Sequence, residues 1–309
     1  RLEIIIKEKS IMKITGAITA IVTPMRENGD IDYSSLESLI EMQIDNGISS
    51  IVAVGTTGES ATIEAGEHLE IIEFFVKKID GRIPLIAGTG ANATKEAIYL
   101  TDSAKDLGVD AVLLVTPYYN KPNQEGLYQH YMSIADSVEI PQILYNVPSR
   151  TAVHIESKTV SKLAQHQNII GLKDATGDME IFEQLNKLCA FEIQNNTFCL
   201  YSGDDETSCE FIKRGGHGSI SVTSNLLPAL VSSMCKTAKD KDSEAEAERI
   251  NEVLSEINRV LFIQSNPIPV KYALFKMGLI EKGIRLPLTP LGEKHFDVLN
   301  SELEKLDLI

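Results

Sequence analysis

Short apolar runs rich in β-branched residues recur along the chain, and each is followed by a stretch in which apolar residues return every three or four positions. This alternation of strand-like and helix-like periodicity is typical of parallel βα units. It predicts strands at residues 17–22, 50–54, 83–87, 111–115, 142–145, 169–173, 198–201 and 218–222. Between them it predicts helices, among others at residues 34–45, 64–78, 94–107, 124–136 and 156–164.

The number of these units distinguishes between two α/β folds. A doubly wound sheet usually stops at about five or six strands, whereas eight strands with eight following helices close a barrel. Because the eighth predicted helix lies near residues 226–239, we predict a (β/α)8 TIM barrel. Asp32 and Ser34 are suited to open the first helix, and Gly108 is suited to end the helix at residues 94–107.

The composition changes after residue 239. A charged run at residues 241–249 leads into helical periodicity through residue 262, and two further helices are predicted near residues 269–277 and 291–303. We therefore expect a barrel at residues 12–239 and a small C-terminal helical domain at residues 240–309. Residues 1–11 precede Met12 and are expected to be a leader that is not part of the native fold.

Charge and cysteine content narrow the class of protein. The net charge of -15 and the pI of about 4.9 argue against a nucleic-acid binder, because such affinity depends on clustered Lys and Arg. The four cysteines form no Cys-x-x-Cys pair, so neither a zinc site nor a redox motif is predicted, and a reducing compartment is expected. The apolar run at residues 4–6 is too short for a signal peptide or a membrane span, which favours a cytoplasmic location.

Polar residues at strand ends are the first candidates for chemistry, because the active site of a parallel barrel lies at the C-terminal ends of its strands. Lys173 ends the otherwise apolar sixth strand. Burial lowers the pKa of an amine and frees its lone pair to attack a carbonyl, as in Schiff-base lysines. The alternative is a lysine that emerges into solvent where the strand ends.

Three other strand ends carry polar side chains. Tyr145 ends the fifth strand and is suited to proton transfer, while Arg150 follows it and is suited to bind a carboxylate. Thr56 and Thr57 lie in a glycine-containing loop after the second strand, where hydroxyl and backbone N–H groups can hold an anion. Tyr118 and Tyr119 follow the fourth strand. Each has an ordinary alternative: a buried tyrosine with its hydroxyl satisfied, a glycine turn, or interface aromatics.

Two patterns point elsewhere and carry less weight. Residues 88–93 fit the loose dinucleotide pattern G-x-G-x-x-A, but they follow the third predicted strand rather than the first, and no strand-end acid follows at the expected distance. Asp204 and Asp205 are better interpreted as first-turn acids and caps of a helix than as metal ligands. The six histidines have no ligand spacing, so no metal site is predicted.

Together these segments resemble the pyruvate-dependent class I aldolase family of N-acetylneuraminate lyase and dihydrodipicolinate synthase, over nearly the whole chain from about Ile14. Family-wide features are the loop from Gly55 to Glu59, Tyr145 and Lys173. The more specific motifs are similar to the synthase branch rather than the lyase branch. They are Gly55-Thr-Thr-Gly-Glu-Ser-Ala-Thr62, Ala87-Gly-Thr-Gly-Ala-Asn92, Val115-Thr-Pro-Tyr-Tyr-Asn120, Ile143-Leu-Tyr-Asn-Val-Pro-Ser-Arg-Thr151, Tyr201-Ser-Gly-Asp-Asp205, Gly216-His-Gly-Ser-Ile-Ser-Val222 and Asn266-Pro-Ile-Pro-Val-Lys271.

The resemblance implies a reaction and a role for each matching position. Lys173 would form an imine with pyruvate, which then condenses with L-aspartate 4-semialdehyde in the route to diaminopimelate and lysine. No metal or dissociable cofactor would be needed. Tyr145, Thr56 and a Tyr119 reaching in from a neighbouring subunit would relay protons, which implies a homo-oligomer, expected to be a tetramer. The substrate-binding positions would be Thr57 and Arg150 and, through their backbones, Gly203 and Ile220.

The resemblance also implies feedback inhibition by L-lysine at a dimer interface. The positions that match lysine-sensitive relatives are Ser60, Ala61, His68, Asn92, Glu96 and Tyr118. Tyr118 and Asn92 would donate to the carboxylate of lysine, and Glu96 would pair with its α-ammonium group. Position 65 is Ala where several such relatives carry His, so the inhibition is expected to be modest. A second departure, an apparent insertion at residues 194–197, lies at the N-terminal end of a strand and should not touch the site.

Two other functions are kept as alternatives. The first is another pyruvate aldolase of the family, one that cleaves sialic acid or a 2-keto-3-deoxy sugar acid. Arg150 argues against it, because a polyol needs hydroxyl-matching side chains rather than a carboxylate clamp. The second is a catalytically silent binding protein, since a fold does not determine a function.

Overall fold

The computed structural model describes residues 14–309, so the predicted leader at residues 1–11 lies outside the described residues. Eight parallel strands form a closed barrel in which each strand pairs with the next and the eighth pairs with the first. The strands are β1 Gly16–Ala20, β2 Ser50–Ala53, β3 Leu85–Gly88, β4 Ala111–Val115, β5 Gln142–Asn146, β6 Ile169–Asp174, β7 Cys199–Ser202 and β8 Gly218–Ser221. The predicted TIM barrel is confirmed.

Two predicted strands extend clearly beyond the observed ones at one end. The strand predicted at residues 17–22 extends beyond β1, because Ile21 and Val22 stay buried after the strand has ended. The strand predicted at residues 83–87 begins too early. Pro84 has no N–H to donate, and β3 begins only after it, at Leu85.

Helices cover the outside of the barrel, and further helices follow the last strand along the chain. They are α1 Tyr33–Asp45, α2 Ala65–Ile79, α3 Thr94–Leu107, α4 Gln124–Ser137, α5 Pro148–Thr151, α6 Ser157–Leu163, α7 Met179–Leu188, α8 Ala190–Gln194, α9 Ser208–Lys213, α10 Pro228–Lys239, α11 Glu244–Val260, α12 Ile268–Lys276 and α13 Phe296–Lys305. Asp32 caps α1 by accepting from the backbone N–H of Ser34 at 3.2 Å and of Ser35 at 3.1 Å. The predicted capping role of Ser34 was therefore wrong, whereas Gly108 ends α3 with a φ of +97°.

Apolar side chains form two layers. An inner cluster fills the barrel, and a larger one lies between the strands and the surrounding helices. Buried residues of the C-terminal helices, such as Leu254 of α11, Leu274 of α12 and Leu299 of α13, belong to the larger cluster. These helices therefore share one apolar cluster with the helices around the barrel, and the division of the chain at residue 239 stays a prediction.

Two further observations concern the predicted class of protein. All four cysteines are free and buried. Among residues 14–309, no helix is long and apolar enough to cross a membrane.

Candidate active site

A cavity of about 300 Å³ opens at the C-terminal ends of the barrel strands. It is where residues from distant parts of the chain meet, because parallel strands of a barrel all end on the same face. Six of the eight residues predicted for catalysis or substrate binding line this cavity: Thr56, Thr57, Tyr145, Arg150, Lys173 and Gly203. We refer to it below as the catalytic cavity.

Lys173 is buried near the end of β6 although it carries an amine. Its Nζ lies 4.3 Å from the centroid of the Tyr145 ring. Burial lowers the pKa of Lys173 to about 7; the Asp205 carboxylate opposes this shift and the Arg150 guanidinium adds to it. A large fraction of this amine is therefore neutral near pH 7 and able to act as a nucleophile.

Tyr145 is buried beside Lys173 at the end of β5. Burial raises the pKa of its phenol, while Arg150 and a hydrogen bond with the Thr56 side chain act in the opposite direction. The phenol is consequently protonated at neutral pH and joined to the Thr56 hydroxyl. This pair is suited to carry a proton between the region of Lys173 and the cavity.

Thr57 and Arg150 are connected through a residue of the C-terminal region, Asn266. The Asn266 side chain donates from Nδ2 to Thr57 Oγ1 at 2.9 Å. Arg150 donates from Nη2 to the backbone carbonyl oxygen of Asn266 at 3.2 Å. The motif that contains Asn266 was visible in the sequence, but no role was predicted for this residue, because its partner Thr57 is 209 positions away.

Gly203 follows β7 and forms a wall against Lys173. A Cβ atom at this position would lie 2.7 Å from Lys173 Cε and 2.9 Å from the Cβ atom of Ala175. Both distances are shorter than real Cβ contacts. Only glycine therefore leaves the lysine side chain in its observed position.

Two predicted residues do not line this cavity. Ile220 is buried in the inner cluster of the barrel, with Ile18 and Tyr201, rather than at the cavity wall. Tyr119 follows β4 in a left-handed conformation, with a φ of +69°, and its side chain is 92% exposed. Within this single chain, Tyr119 is thus absent from the residues that surround Lys173.

The interpretation of Asp204 and Asp205 as first-turn acids and caps of a helix was wrong, because the N-cap of α9 is Thr207, no side chain caps this helix, and its first-turn acid is Glu210. Asp204 accepts from the backbone N–H of Thr207, immediately before α9, at 3.1 Å. Asp205 is buried and instead accepts from the backbone N–H groups of Val222 at 2.8 Å and Thr223 at 3.0 Å. Burial raises the pKa of the Asp205 carboxyl. Across residues 14–309, no group of three or more His, Cys, Asp or Glu is arranged to hold a metal ion.

A second cavity, of about 500 Å³, adjoins the first. Its lining includes all six positions predicted for lysine, namely Ser60, Ala61, His68, Asn92, Glu96 and Tyr118. Thr56, Arg150 and Asn266 line both cavities. We refer to the second one as the adjoining cavity.

Hydrogen bonds preorganise part of the adjoining cavity. Asn92 accepts at Oδ1 from the backbone N–H of Tyr118, at 2.7 Å, and its backbone oxygen accepts from the Asn120 side chain at 3.2 Å. His68 Nε2 lies 2.7 Å from the carbonyl oxygen of Gly88. Because burial lowers the pKa of His68, the ring is neutral at pH 7 and donates from Nε2 to this carbonyl.

The glycines of the G-x-G-x-x-A segment have a packing explanation. A Cβ atom at Gly88 would lie 2.4 Å from the carbonyl oxygen of Val54, and one at Gly90 would lie 2.5 Å from the backbone nitrogen of Val115. Neighbouring backbone thus approaches too closely for any side chain at these positions. The pattern follows from the packing of strand ends and does not require a nucleotide.

A buried ion pair fastens the loop after β2 to the C-terminal region. Lys271 of α12 donates to the Glu59 carboxylate, and both side chains are buried. The other Glu59 oxygen accepts from the backbone N–H of Arg285 at 3.3 Å, and Arg285 forms a bidentate pair with Glu67. Glu59 itself has a φ of +59°. The sequence motifs include Glu59 and Lys271, but their pairing was not predicted.

Comparisons with known proteins cover almost the whole chain. The model of the dihydrodipicolinate synthetase family matches residues 13–306. A 4-hydroxy-tetrahydrodipicolinate synthase of Ruthia magnifica subsp. Calyptogena magnifica is 52% identical over 296 residues, which cover 96% of this chain and 98% of that protein.

Solved structures give the same result. The chloride-inhibited dihydrodipicolinate synthase from Acinetobacter baumannii, complexed with pyruvate, has a TM-score of 0.92 and 51% identity, covering 96% of this chain and 100% of that one. The DHDPS from Cyanidioschyzon merolae with lysine bound has a TM-score of 0.91 and 35% identity, covering 96% of this chain and 99% of that one.

Proposed function

The chain belongs to the dihydrodipicolinate synthetase family, and from this premise we propose how its residues condense pyruvate with L-aspartate 4-semialdehyde to 4-hydroxy-tetrahydrodipicolinate. The observation that carries the proposal is the buried Lys173 amine, which lies beside the Tyr145 ring and has a pKa of about 7. The enzyme is a lyase of the Schiff-base class, and its covalent intermediate is an imine of pyruvate with lysine rather than a complex with a separate cofactor.

The first half of the reaction attaches pyruvate to the enzyme. The neutral Lys173 amine attacks the ketone carbon, and the ketone oxygen leaves as water after it has accepted two protons. The Tyr145 phenol delivers these protons. It regains one from the attacking nitrogen, which keeps its other hydrogen, and one from the cavity through the Thr56 hydroxyl, its hydrogen-bond partner. The protonated imine then withdraws electrons from the methyl carbon, so that transfer of one methyl proton to the relay that includes Tyr145 gives an enamine.

The second half forms the new carbon–carbon bond. The enamine carbon attacks the aldehyde carbon of L-aspartate 4-semialdehyde, and the aldehyde oxygen takes up a proton from the relay that includes Tyr145. The α-amino group of the second substrate then attacks the imine carbon. This attack closes the ring, returns the amine of Lys173 and releases the heterocycle.

Two side chains hold the carboxylates of the substrates. Thr57 donates its hydroxyl hydrogen to the carboxylate of pyruvate. Arg150, which lines the catalytic cavity near its opening, binds the carboxylate of L-aspartate 4-semialdehyde, because its planar guanidinium matches the two oxygens. Gly203 allows the cavity wall to approach Lys173, and Ile220 of β8 packs in the inner cluster of the barrel.

Borohydride trapping with pyruvate tests the central step. Reduction of the imine leaves a stable adduct, which intact-mass measurement detects, and peptide mapping should locate it on Lys173. The variant Lys173→Ala should form no adduct and lose turnover by orders of magnitude. Lys213→Ala, which removes an amine on the protein surface, serves as the matched control. Adduct formation that persists in Lys173→Ala would contradict the assignment.

The substrate choice is tested against the rival activities of the family. Turnover of pyruvate with L-aspartate 4-semialdehyde should far exceed turnover with N-acetylmannosamine. Arg150→Leu should weaken binding of L-aspartate 4-semialdehyde while pyruvate trapping persists. A wild-type protein that forms no pyruvate adduct at all would favour a catalytically silent binding protein.

A homotetramer completes the proposed site. Tyr119 is 92% exposed and lies outside the catalytic cavity of its own chain. This exposure supports its proposed role as a proton donor in the cavity of a neighbouring copy. Sedimentation should find an oligomer at assay concentrations, and Tyr119→Phe should lower turnover without loss of assembly. A fully active monomer would refute this part of the proposal.

Lysine is the proposed inhibitor and binds in the adjoining cavity. The match of all six predicted positions to the lining of this cavity supports the assignment. Glu96 pairs with the α-ammonium group. The Asn92 Oδ1 accepts from Tyr118, whereas its Nδ2 hydrogens have no acceptor among residues 14–309 and can donate to the carboxylate. A disturbance at Tyr118 reaches Tyr119 directly through the backbone. We also propose a cytoplasmic location, which the four free, buried cysteines support because thiols stay reduced there.

A further inference from the structure

We infer that Asn266 is a positioning residue for pyruvate, which it serves by directing the hydroxyl hydrogen of Thr57 into the catalytic cavity. The inference rests on the proposed role of Thr57 in binding the carboxylate of pyruvate. It assigns a task to the C-terminal region, which supplies none of the groups that react.

The direction of the Thr57 hydroxyl follows from its hydrogen bond. Asn266 Nδ2 donates to Thr57 Oγ1 at 2.9 Å, so the threonine oxygen is an acceptor in this contact. A hydroxyl has one hydrogen to donate. Within the described residues, this hydrogen has no acceptor, and both side chains line the catalytic cavity. The hydrogen is therefore free to meet an anionic oxygen in the cavity.

The surroundings of Asn266 favour a role in the site over a role in packing. The residue is only 5% exposed, yet its Oδ1 has no hydrogen-bond partner in the part of the chain that the structure describes. A buried amide oxygen without a partner costs stability. An apolar residue would avoid this cost but would leave the Thr57 hydroxyl free to rotate away from the cavity.

Asn266 serves the two proposed carboxylate sites with different atoms. Its side chain holds Thr57, whereas its backbone carbonyl oxygen accepts from Arg150 Nη2 at 3.2 Å. Five residues further on, Lys271 pairs with Glu59, two residues after Thr57. The C-terminal segment at residues 266–271 and the loop at residues 57–59 are thus joined by two side-chain contacts. Truncation of the Asn266 side chain should therefore disturb pyruvate binding and leave the contact to Arg150 in place.

The test measures each substrate separately in Asn266→Ala. The pyruvate concentration that gives half-maximal borohydride trapping, and the KM for pyruvate, should each rise about tenfold, which is the loss expected for one oriented hydrogen bond to a charged group. The KM for L-aspartate 4-semialdehyde should change less than about twofold, because the backbone carbonyl is retained. Gln264→Ala is the matched control, since Gln264 bonds the backbone N–H of Gly292 and lines neither cavity.

A double-mutant comparison shows whether the effect passes through Thr57. Thr57→Val should raise the KM for pyruvate by a similar factor, and adding Asn266→Ala to it should raise the value no further. Independent, multiplying effects of the two substitutions would overturn the inference, as would an unchanged KM for pyruvate in Asn266→Ala. If Asn266→Ala does not fold, Asn266→Leu, which is of similar size, carries no charge and cannot donate, takes its place in the same comparison.

Failure of the inference and failure of the proposed function give different results. A wild-type protein that forms the pyruvate adduct, together with an Asn266→Ala variant of unchanged pyruvate dependence, refutes only the role of Asn266. A wild-type protein that forms no adduct refutes the proposed function, and the role of Asn266 with it.

Discussion

The pH dependence of imine formation tests whether burial neutralises the amine of Lys173. With its pKa at about 7 instead of 10.5, about half of the amine is neutral at pH 7. A lysine of ordinary pKa would be neutral in roughly one molecule in 3,000 at the same pH. Burial therefore raises the reactive fraction by about three orders of magnitude.

This shift has a defined sign. The ammonium form predominates below the pKa and cannot attack, so the rate should rise about tenfold per pH unit up to pH 7 and then level off. The assay follows kcat/KM for pyruvate, which reports the ionisations of the free enzyme, or the initial rate of borohydride trapping, between about pH 5.5 and 9. An ordinary lysine would instead give a rate that keeps rising to the highest pH tested.

Two substitutions should move the inflection in opposite directions. The Asp205 carboxylate raises the pKa of Lys173 and the Arg150 guanidinium lowers it. Asp205→Asn should therefore shift the inflection to lower pH, and Arg150→Met should shift it to higher pH. Trapping with pyruvate alone is the suitable readout, because Arg150 is proposed to bind only the second substrate. A rise that continues to pH 9 in the wild type, or shifts of equal sign in both variants, would refute the reasoning.

Three further predictions concern other parts of the site. Gly203→Ala places a Cβ atom 2.7 Å from Lys173 Cε, and the displaced lysine should lower kcat roughly 100-fold. The control Gly66→Ala, whose Cβ atom meets nothing within 4 Å, should leave kcat unchanged. A wild-type kcat in Gly203→Ala would show that the neighbouring residues move without displacing the lysine. Lysine should inhibit the wild type at about tens of millimolar or below, with a coupling free energy between the lysine site and the catalytic cavity of roughly 1–3 kcal/mol. Initial rates should show weaker inhibition of Glu96→Ala. Equal inhibition of both proteins would exclude the proposed contact of Glu96 with lysine. Lys271→Met leaves the buried Glu59 carboxylate without its partner and should lower the free energy of unfolding by about 3–5 kcal/mol in denaturant titrations. The control Lys213→Met removes a lysine from an exposed ion pair and should lower it by no more than about 1 kcal/mol. Similar losses in the two variants would mean that water solvates the Glu59 pair.

Much of the fold and part of the site could be predicted from local patterns. Hydrophobic periodicity is a local property, so the eight βα units and their approximate bounds are readable without any knowledge of contacts. Lys173 and Tyr145 end apolar strands, and the geometry of a parallel barrel brings all such ends to one face. The family resemblance then assigned roles that the residue types alone had left open.

Other features depend on contacts between residues far apart in the chain, and these only the tertiary structure decided. Asn266 meets Thr57 across 209 positions, and Lys271 meets Glu59 across 212. Asp205 resembled a helix cap in the sequence, yet it folds back onto the backbone that follows β8. No periodicity or cap signal encodes such pairings, because each arises where the C-terminal segment or a strand-end loop packs against another element.

The same reason explains the two predicted residues that lie outside the catalytic cavity. A strand-end position establishes which face of the barrel a residue is near, but not whether its side chain reaches the cavity. Ile220 points into the inner cluster, and Tyr119 extends outward in a left-handed conformation. The sequence by itself determined the barrel, since this follows from the local alternation of apolar and polar positions, and with the family resemblance it predicted Lys173 as the reactive amine. The tertiary structure decided which groups surround that amine, because burial and hydrogen bonding depend on packing between distant segments.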